Sequence, residues 1–151
     1  MIVVIAQPEE IKLVKELGYE NNPIIITGVG GVNVIKALKD LPRDTEILNI
    51  GYCGSNKLPI KTLVDVYAVG TLHEKAQTHE TLMILKNAIL DNDVYNCICY
   101  TCTDFVEQTN IEIPCVFDME LGFIRAMFPN TRAIKVVSDN LNYKEYKNST
   151  K

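Results

Sequence analysis

The hydrophobic pattern along the chain switches between two periods. Mostly apolar runs cover residues 2–6, 24–27, 46–50, 63–69, 94–100, 113–117 and 133–137. Short runs of this kind, several of them rich in Val and Ile, suit strands buried on both faces. Between several of them the apolar positions recur at helical spacing. Ile11, Val14 and Leu17 follow Pro8, Glu9 and Glu10; a proline and two acids suit a first helical turn, and Gly18 reads as the stop. Val34, Ala37 and Leu38 form a second stripe, closed by Pro42-Arg43-Asp44. Leu82, Leu85, Ala88 and Ile89 form a third and predict a helix over 81–90. A further helix is predicted between the strands at 113–117 and 133–137. Residues 73–81 are polar and without a clear period. Residues 143–151 are polar and lysine-rich, and are expected to fray. The alternation of strand and helix predicts one α/β domain over 1–151, a three-layer sandwich around a central, mostly parallel (mixed) sheet.

Composition narrows the functional classes. The 151 residues are 47% hydrophobic and 23% charged, enough apolar content for a core of their own. The net charge of −4 argues against a nucleic-acid partner, whose phosphates require a basic face. No stretch reaches the ~20 apolar residues of a membrane span, and no basic cluster suits a membrane surface. The start Met1-Ile2-Val3-Val4-Ile5 lacks the basic segment of a secretory leader, so a cytoplasmic location is expected. The five cysteines, an odd number mostly inside apolar runs, suggest reduced thiols. Cys97-x-Cys99-x-x-Cys102 has no fourth ligand at a usual zinc spacing, and buried structural thiols are the expected reading.

The candidate chemistry lies at strand ends. The run at 113–117 stops at Asp118-Met119-Glu120, and that at 133–137 stops at Ser138-Asp139-Asn140. In open α/β sheets ligands bind beyond the carboxyl ends of strands. Asp118 also suits a helix cap, worth about 0.5–2 kcal/mol. Gly28-x-Gly30-Gly31-x-Asn33 follows a strand and opens a helix, a context for a backbone cradle holding an anion or a hydroxyl-rich ligand, or for a tight turn. It lacks the third glycine of a dinucleotide fingerprint and the lysine of a phosphate loop. Gly51 and Gly54 mark another strand end, with turn geometry as the plain alternative.

These pieces also occur together in a known order: Gln7-Pro8-Glu9-Glu10, Thr27-Gly28-Val29-Gly30-Gly31, Asn49-Ile50-Gly51-Tyr52-Cys53-Gly54, Asp104-Phe105, Phe117-Asp118-Met119-Glu120 and Val136-Val137-Ser138-Asp139. In this the chain resembles the purine nucleoside phosphorylase/uridine phosphorylase superfamily, most closely its methylthioadenosine/S-adenosylhomocysteine nucleosidase branch. The resemblance implies a nucleoside phosphorylase-like fold and cleavage of the N-glycosidic bond of a purine nucleoside or thionucleoside. It implies that Asp139 protonates or hydrogen-bonds the five-ring nitrogen of the base, that Ser138 orients Asp139, and that Glu10 helps activate the attacking water. Glu120 would grip the ribose hydroxyls, Met119 pack on the sugar and Phe105 stack on the base, with Gly28, Gly30, Gly51 and Tyr52 also bordering the substrate. No metal and no cofactor are implied. The implied partners are a small nucleoside or purine and further copies of the chain, a dimer being favoured.

The phosphorylases of this superfamily use an arginine and a hydroxyl for phosphate where this chain has Asn49 and Tyr52. Asn49 matches the nucleosidase pattern, which favours water as nucleophile. The chain departs from the family by being shorter, with residues 18–24 and 94–113 compressed and the segment after Ser138-Asp139 reduced, and Tyr52 stands in place of a small residue beside the site. A relative that binds a nucleoside or purine without turning it over is the alternative from another class, and a phosphate-dependent phosphorylase is a third.

Overall fold

In a computed structural model, residues 1–73, 78–79, 82–88 and 94–151 are described. Strand β1 (Ile2–Ile5) leads through a 3₁₀ turn at Pro8–Glu10 into helix α1 (Ile11–Glu16). Strand β2 (Ile24–Ile26), helix α2 (Gly31–Leu38) and strand β3 (Ile47–Ser55) follow. Next come β4 (Leu63–His73), β5 (Thr78–His79), β6 (Met83–Ile84), β7 (Tyr95–Thr101) and β8 (Val116–Asp118). Helix α3 (Leu121–Met127), strand β9 (Thr131–Asp139) and helix α4 (Tyr143–Ser149) complete the chain. The α/β class and the mixed sheet agree with the hydrophobic pattern.

The sheet does more than lie between helices. β1 pairs in parallel with β2 and β3, and β3 pairs in parallel with β9. β9 pairs antiparallel with β4, β4 parallel with β7, β7 parallel with β8, and β8 antiparallel with β3. Strands β3, β9, β4, β7 and β8 therefore close into a ring, with β1 and β2 as an open wing. One buried cluster takes a side chain from every strand of the ring: Cys53, Val66, Cys99, Val116 and Val137 among them. On the wing, Leu13 and Val14 of α1 pack with Val3, Ile5 and Ile50, while Val34 and Leu38 of α2 pack with Val4, Ile47, Ile124 and Phe128. Fully burying each such side chain contributes roughly 1.5–3 kcal/mol.

Three local expectations are corrected, and one stretch without a predicted element gains a strand. The helix expected over 81–90 is absent at 82–88, the part of it among the described residues: Met83 and Ile84 pair with Val69 and Ala68, and the amides of Leu85 and Ala88 donate to the Tyr67 carbonyl and the Asp65 carboxylate. Docking on β4 outcompetes a weak helical stripe. The polar stretch expected at 73–81 is partly strand, since β4 runs on to His73 and pairs with β5; the remainder lies outside the described residues. The strand expected at 113–117 is confined to Val116–Asp118, because Asn56 holds the preceding segment by accepting from the Cys115 amide and donating to the Ile111 and Ile113 carbonyls. The tail expected to fray is helix α4. Asn142 caps it, accepting from the amides of Lys144 and Glu145 at 2.9 and 3.1 Å. Lys12 Nζ donates to the carbonyls of Thr150 and Lys151 at its far end.

Candidate active site

The ring and the wing meet at one cleft. It is bordered by the β1–α1 turn, the middle of β3, the loop after β7, the β8–α3 turn, the end of β9 and helix α4. Glu10, Tyr52, Phe105, Met119, Glu120, Ser138 and Asp139 all line it, so most residues singled out in the sequence come together. Gly28, Gly30 and Gly51 do not line it; each acts from behind the wall.

Gly51 is there because of Glu10. The Glu10 carboxylate, 6% exposed, accepts from the amides of Ala6 and Gln7 on Oε1 (2.9 and 3.0 Å) and from the Tyr52 amide on Oε2 (2.8 Å). A Cβ on Gly51 would stand 2.6 Å from that Oε2. Gly51 sits inside β3, so close approach, not a turn, requires the glycine. Gly51→Ala is accordingly expected to cost about 1–3 kcal/mol through overpacking and to displace Glu10, read out as a lower urea midpoint.

Gly30 serves Glu120. Gly28 and Gly30 both have φ of +89°, which opens the turn into α2 and points the Gly30 amide at Glu120 Oε2, 2.8 Å away. The cradle expected for an anion thus holds the protein's own carboxylate. Burial, then the nearby Asp118 charge, raises Glu120 to about 7, with Lys135 and the Gly30 amide opposing. The native state therefore binds more protons here than the unfolded chain between pH ~4.5 and ~7, and the contribution of this group to stability falls as pH rises through that window. Urea titrations at pH 5 and pH 7.5 check this: wild type is expected to lose more stability over that interval than Glu120→Gln, and equal losses would refute it.

Behind Glu120 lies a residue that the hydrophobic pattern does not single out. Lys135, on β9 between Ile134 and Val136, is 1% exposed, and its Nζ stands 3.0 Å from Asp118 Oδ2. Asp118 also accepts from Thr101 Oγ1 (2.6 Å), Cys99 Sγ (3.3 Å) and the amide of Leu121 (2.8 Å), the first residue of α3; the N-cap position expected of Asp118 is instead Glu120, because Asp118 ends β8. Burial pushes Asp118 upward, but Lys135 and these donors hold it below its usual range. Burial likewise opposes the charge on Lys135, yet Asp118, with Glu120 and Glu10, holds its ammonium above the ordinary lysine range. Glu10 is raised by burial despite Lys135 and its three amide donors. One cation thus organises three acids at the floor of the cleft. The available signal is a lysine inside a doubly buried strand, a position that demands a partner.

Asp139, the last residue of β9, is 1% exposed. Its Oδ1 and the Cys53 carbonyl share the single proton of Ser138 Oγ, at 2.9 and 3.2 Å, and its Oδ2 accepts from the Leu141 amide (2.9 Å). Leu141 adopts φ of +65°, an uncommon conformation for leucine that brings this amide round. Gly54 faces Asp139 across a register shift, and a Cβ there would be 2.9 Å from Oδ2. Burial raises Asp139 above the usual carboxylate range, against the Ser138, Leu141 and Asn142 donors. Phe105 closes this side, with Tyr143 edge-on at 5.4 Å and Tyr146 at 5.8 Å between ring centroids. Tyr52 gives its amide to Glu10 while its ring packs with the α1 cluster beneath Lys12, whose Nζ lies 5.7 Å from the ring centroid. Among the described residues no group of His, Cys, Asp and Glu could hold a metal ion, and no helix is long and apolar enough to cross a membrane. The five cysteines are buried thiols outside any disulfide, and burial pushes Cys97 and Cys115 to about 12.

No family model and no curated protein matches the sequence. Solved structures do. A nucleosidase from Chlamydia trachomatis bound to adenine superposes with a TM-score of 0.79 at 18% identity, over 99% of this chain and 88% of that one. The 5′-methylthioadenosine/S-adenosylhomocysteine nucleosidase from S. pneumoniae, with a transition-state inhibitor, gives 0.75 at 14% identity, over 97% and 90%. The Helicobacter pylori nucleosidase of the same name gives 0.72 at 14%, over 99% and 90%. The chain has the methylthioadenosine/S-adenosylhomocysteine nucleosidase fold. Within this nucleosidase fold, Gln7, Asp104, Leu141 and Tyr146 also line the cleft, none of them among the candidates read from the sequence. The signal for Tyr146 is the spacing of Tyr143 and Tyr146, one helical turn apart in an otherwise polar segment.

Proposed function

We propose that the protein is an N-glycosyl hydrolase that cleaves the bond between base and ribose in a purine nucleoside or thionucleoside of the methylthioadenosine/adenosylhomocysteine type. The observation that carries this is the convergence of Glu10, Glu120 and Asp139 from three separate segments on one cleft. Neighbours of the same fold were solved with adenine and with a transition-state inhibitor, which supports the reading.

Each group has a role its surroundings suit. Glu120 accepts from the two ribose hydroxyls, charge-assisted bonds stronger than neutral ones, and Met119 packs on the sugar. Phe105 covers the base. Asp139, whose affinity for a proton is raised by its buried setting and which Ser138 orients, passes a proton to the five-ring nitrogen. The glycosidic bond then breaks with its electron pair moving to the base. The cationic sugar is stabilised by Glu120 and Glu10. Glu10 Oε2, with one donor in place, keeps a lone pair for water; it takes the water's proton as oxygen joins the sugar carbon. Water is favoured over phosphate because Asn49 is 2% exposed and spends its Nδ2 on the Val4 carbonyl, so no donor faces the cleft from the arginine position of the phosphorylases.

We further place the protein in the cytoplasm, as a single-domain homo-oligomer, a dimer being favoured. The exposed apolar side of α2, Val32 at 68% and Ile35 at 48%, supports association. The decisive experiment incubates pure protein with methylthioadenosine, adenosylhomocysteine, adenosine and inosine in phosphate-free buffer and measures free base. Release is expected. Strict phosphate dependence would make it a phosphorylase, and binding by calorimetry with no release at high enzyme would make it a nucleoside-binding relative.

A further inference from the structure

We infer that Lys12 is a positioning residue for the acid Asp139: by holding down the far end of helix α4, it keeps the cleft closed over that carboxyl. The inference rests on the nucleosidase reading above, in which Asp139 gives up the proton, and adds to it a residue that does not itself line the cleft.

Helix α4 follows directly on the acid. It leaves β9 through Asn140 and Leu141 and packs back on that strand. No residue of α4 is buried, so the helix is held at points and not by a packed face. Its near end is pinned twice. Asn140 Nδ2 donates to the Ser55 and Leu58 carbonyls at 3.1 and 2.7 Å, and the Asn140 amide donates to Glu145 Oε1 at 3.1 Å. Its far end is held to the segment around the β1–α1 turn. Lys12 Nζ donates to the carbonyls of Thr150 and Lys151, and the Tyr146 hydroxyl donates to Gln7 Oε1 at 3.1 Å. The last carbonyls of a helix have no partner within it, and a cation there also meets the negative end of the dipole. Of these two far tethers the lysine is the charged one, and hydrogen bonds to charged groups are the stronger class.

Between the tethers lies the cover of the acid. Tyr146 and Leu141 line the cleft together with Asp139, and the Tyr146 ring packs on Phe105 at 5.8 Å between centroids. Burial is the largest influence on Asp139 and raises its affinity for a proton. Ser138 on its own strand and the Leu141 and Asn142 amides oppose this, Glu145 on α4 adds to it, and the buried Cys53 thiol on β3 is the other titratable group beside it. The near-end pins keep both amides and Glu145 in place when the far end lifts. What changes is burial. Water then reaches the carboxyl, and its affinity for a proton falls toward that of an ordinary aspartate. Lys12 thus sets the pH up to which Asp139 keeps the proton it has to transfer.

The test sets wild type against Lys12→Met and against Lys12→Arg, which keeps a cationic donor; melting curves verify that both variants are folded. Hydrogen exchange of the amides at 143–151 is expected to quicken about fivefold or more in Lys12→Met and to stay within about twofold of wild type in Lys12→Arg. With methylthioadenosine or adenosine, whichever wild type cleaves, kcat of Lys12→Met is expected to match wild type within about twofold on the acid side, and its alkaline limb to begin about half a pH unit lower or more. Lys12→Arg is expected to restore the limb. In an Asp139→Asn background, Lys12→Met is expected to change the residual kcat by less than about twofold. Unchanged exchange in Lys12→Met, an unmoved limb, or equal slowing at every pH and in the Asp139→Asn background overturns the inference and leaves the nucleosidase reading standing. No base release by wild type overturns both.

Discussion

Replacing Lys135 with methionine is expected to lower the free energy of unfolding at neutral pH by about 3–5 kcal/mol, the usual cost of removing one partner from a buried ion pair. For a chain of this size that corresponds to a drop in Tm of roughly 10 °C. Methionine fills similar space, so the loss measures charge. Lys135 Nζ, 3.0 Å from Asp118 Oδ2, is the cation that offsets Asp118, Glu120 and Glu10. Without it Asp118 keeps its hydroxyl, thiol and amide donors but no counter-charge, and the three acids repel one another across a dehydrated floor. The pH dependence carries a sign. Carboxylates deprived of their cation have folded pKa values above their unfolded ones, so the native state binds the extra protons and the variant regains stability as pH falls. Lys135→Met is therefore expected to approach wild type on going from pH 7.5 to pH 5, and the double variant Lys135→Met/Asp118→Asn to recover part of the loss at pH 7.5. A single variant within about 1 kcal/mol of wild type at pH 7.5 would show that the pair contributes no more than a surface bridge.

The same residue shows where a sequence stops being readable. The strand ends at Asp118, Glu120 and Asp139 could be located because an apolar run followed by an acid is a local pattern. Lys135 belongs to such a run, and its meaning depends on three acids brought from distant segments. Gly51 is similar. Read along the chain it is a turn glycine; in the fold it is an extended residue whose missing side chain admits Glu10, forty-one positions earlier by number (51 − 10). Helix α4 follows the same logic, since Tyr143 and Tyr146 gain their ordering from Phe105 and from Lys12, not from neighbours in the tail. The 82–88 segment failed in the opposite direction. Its helical stripe was local and real, but an open edge of β4 offered backbone partners that a short isolated helix could not match. What stayed hidden is thus what depends on contacts far apart in the chain, including the closure of five strands into a ring.

Asp139→Asn is expected to reduce kcat by 10²- to 10⁴-fold, the range of general acid catalysis, while leaving the fold intact. Asparagine matches the shape of aspartate. Its carbonyl oxygen can accept from the Leu141 amide, and its amide can still hydrogen-bond the base, but it has no acidic proton to transfer when the glycosidic bond breaks. Stability gives the control. Asp139 is buried and its folded pKa is raised above the unfolded value, so its ionised form disfavours the native state at pH values above the unfolded pKa. Removing that charge is therefore expected to leave Tm at pH 7.5 unchanged or higher, the opposite of what a purely structural carboxylate would show. Nucleoside affinity, which the proposed roles give to Glu120 and Phe105, is expected to change much less than kcat. The pH profile supplies a third readout. Wild-type kcat is expected to fall at high pH as the acid loses its proton, and the residual rate of Asp139→Asn is expected to lack that limb. Activity within about threefold of wild type, measured at saturating nucleoside, would remove Asp139 as the acid and direct attention to direct protonation of the base by water.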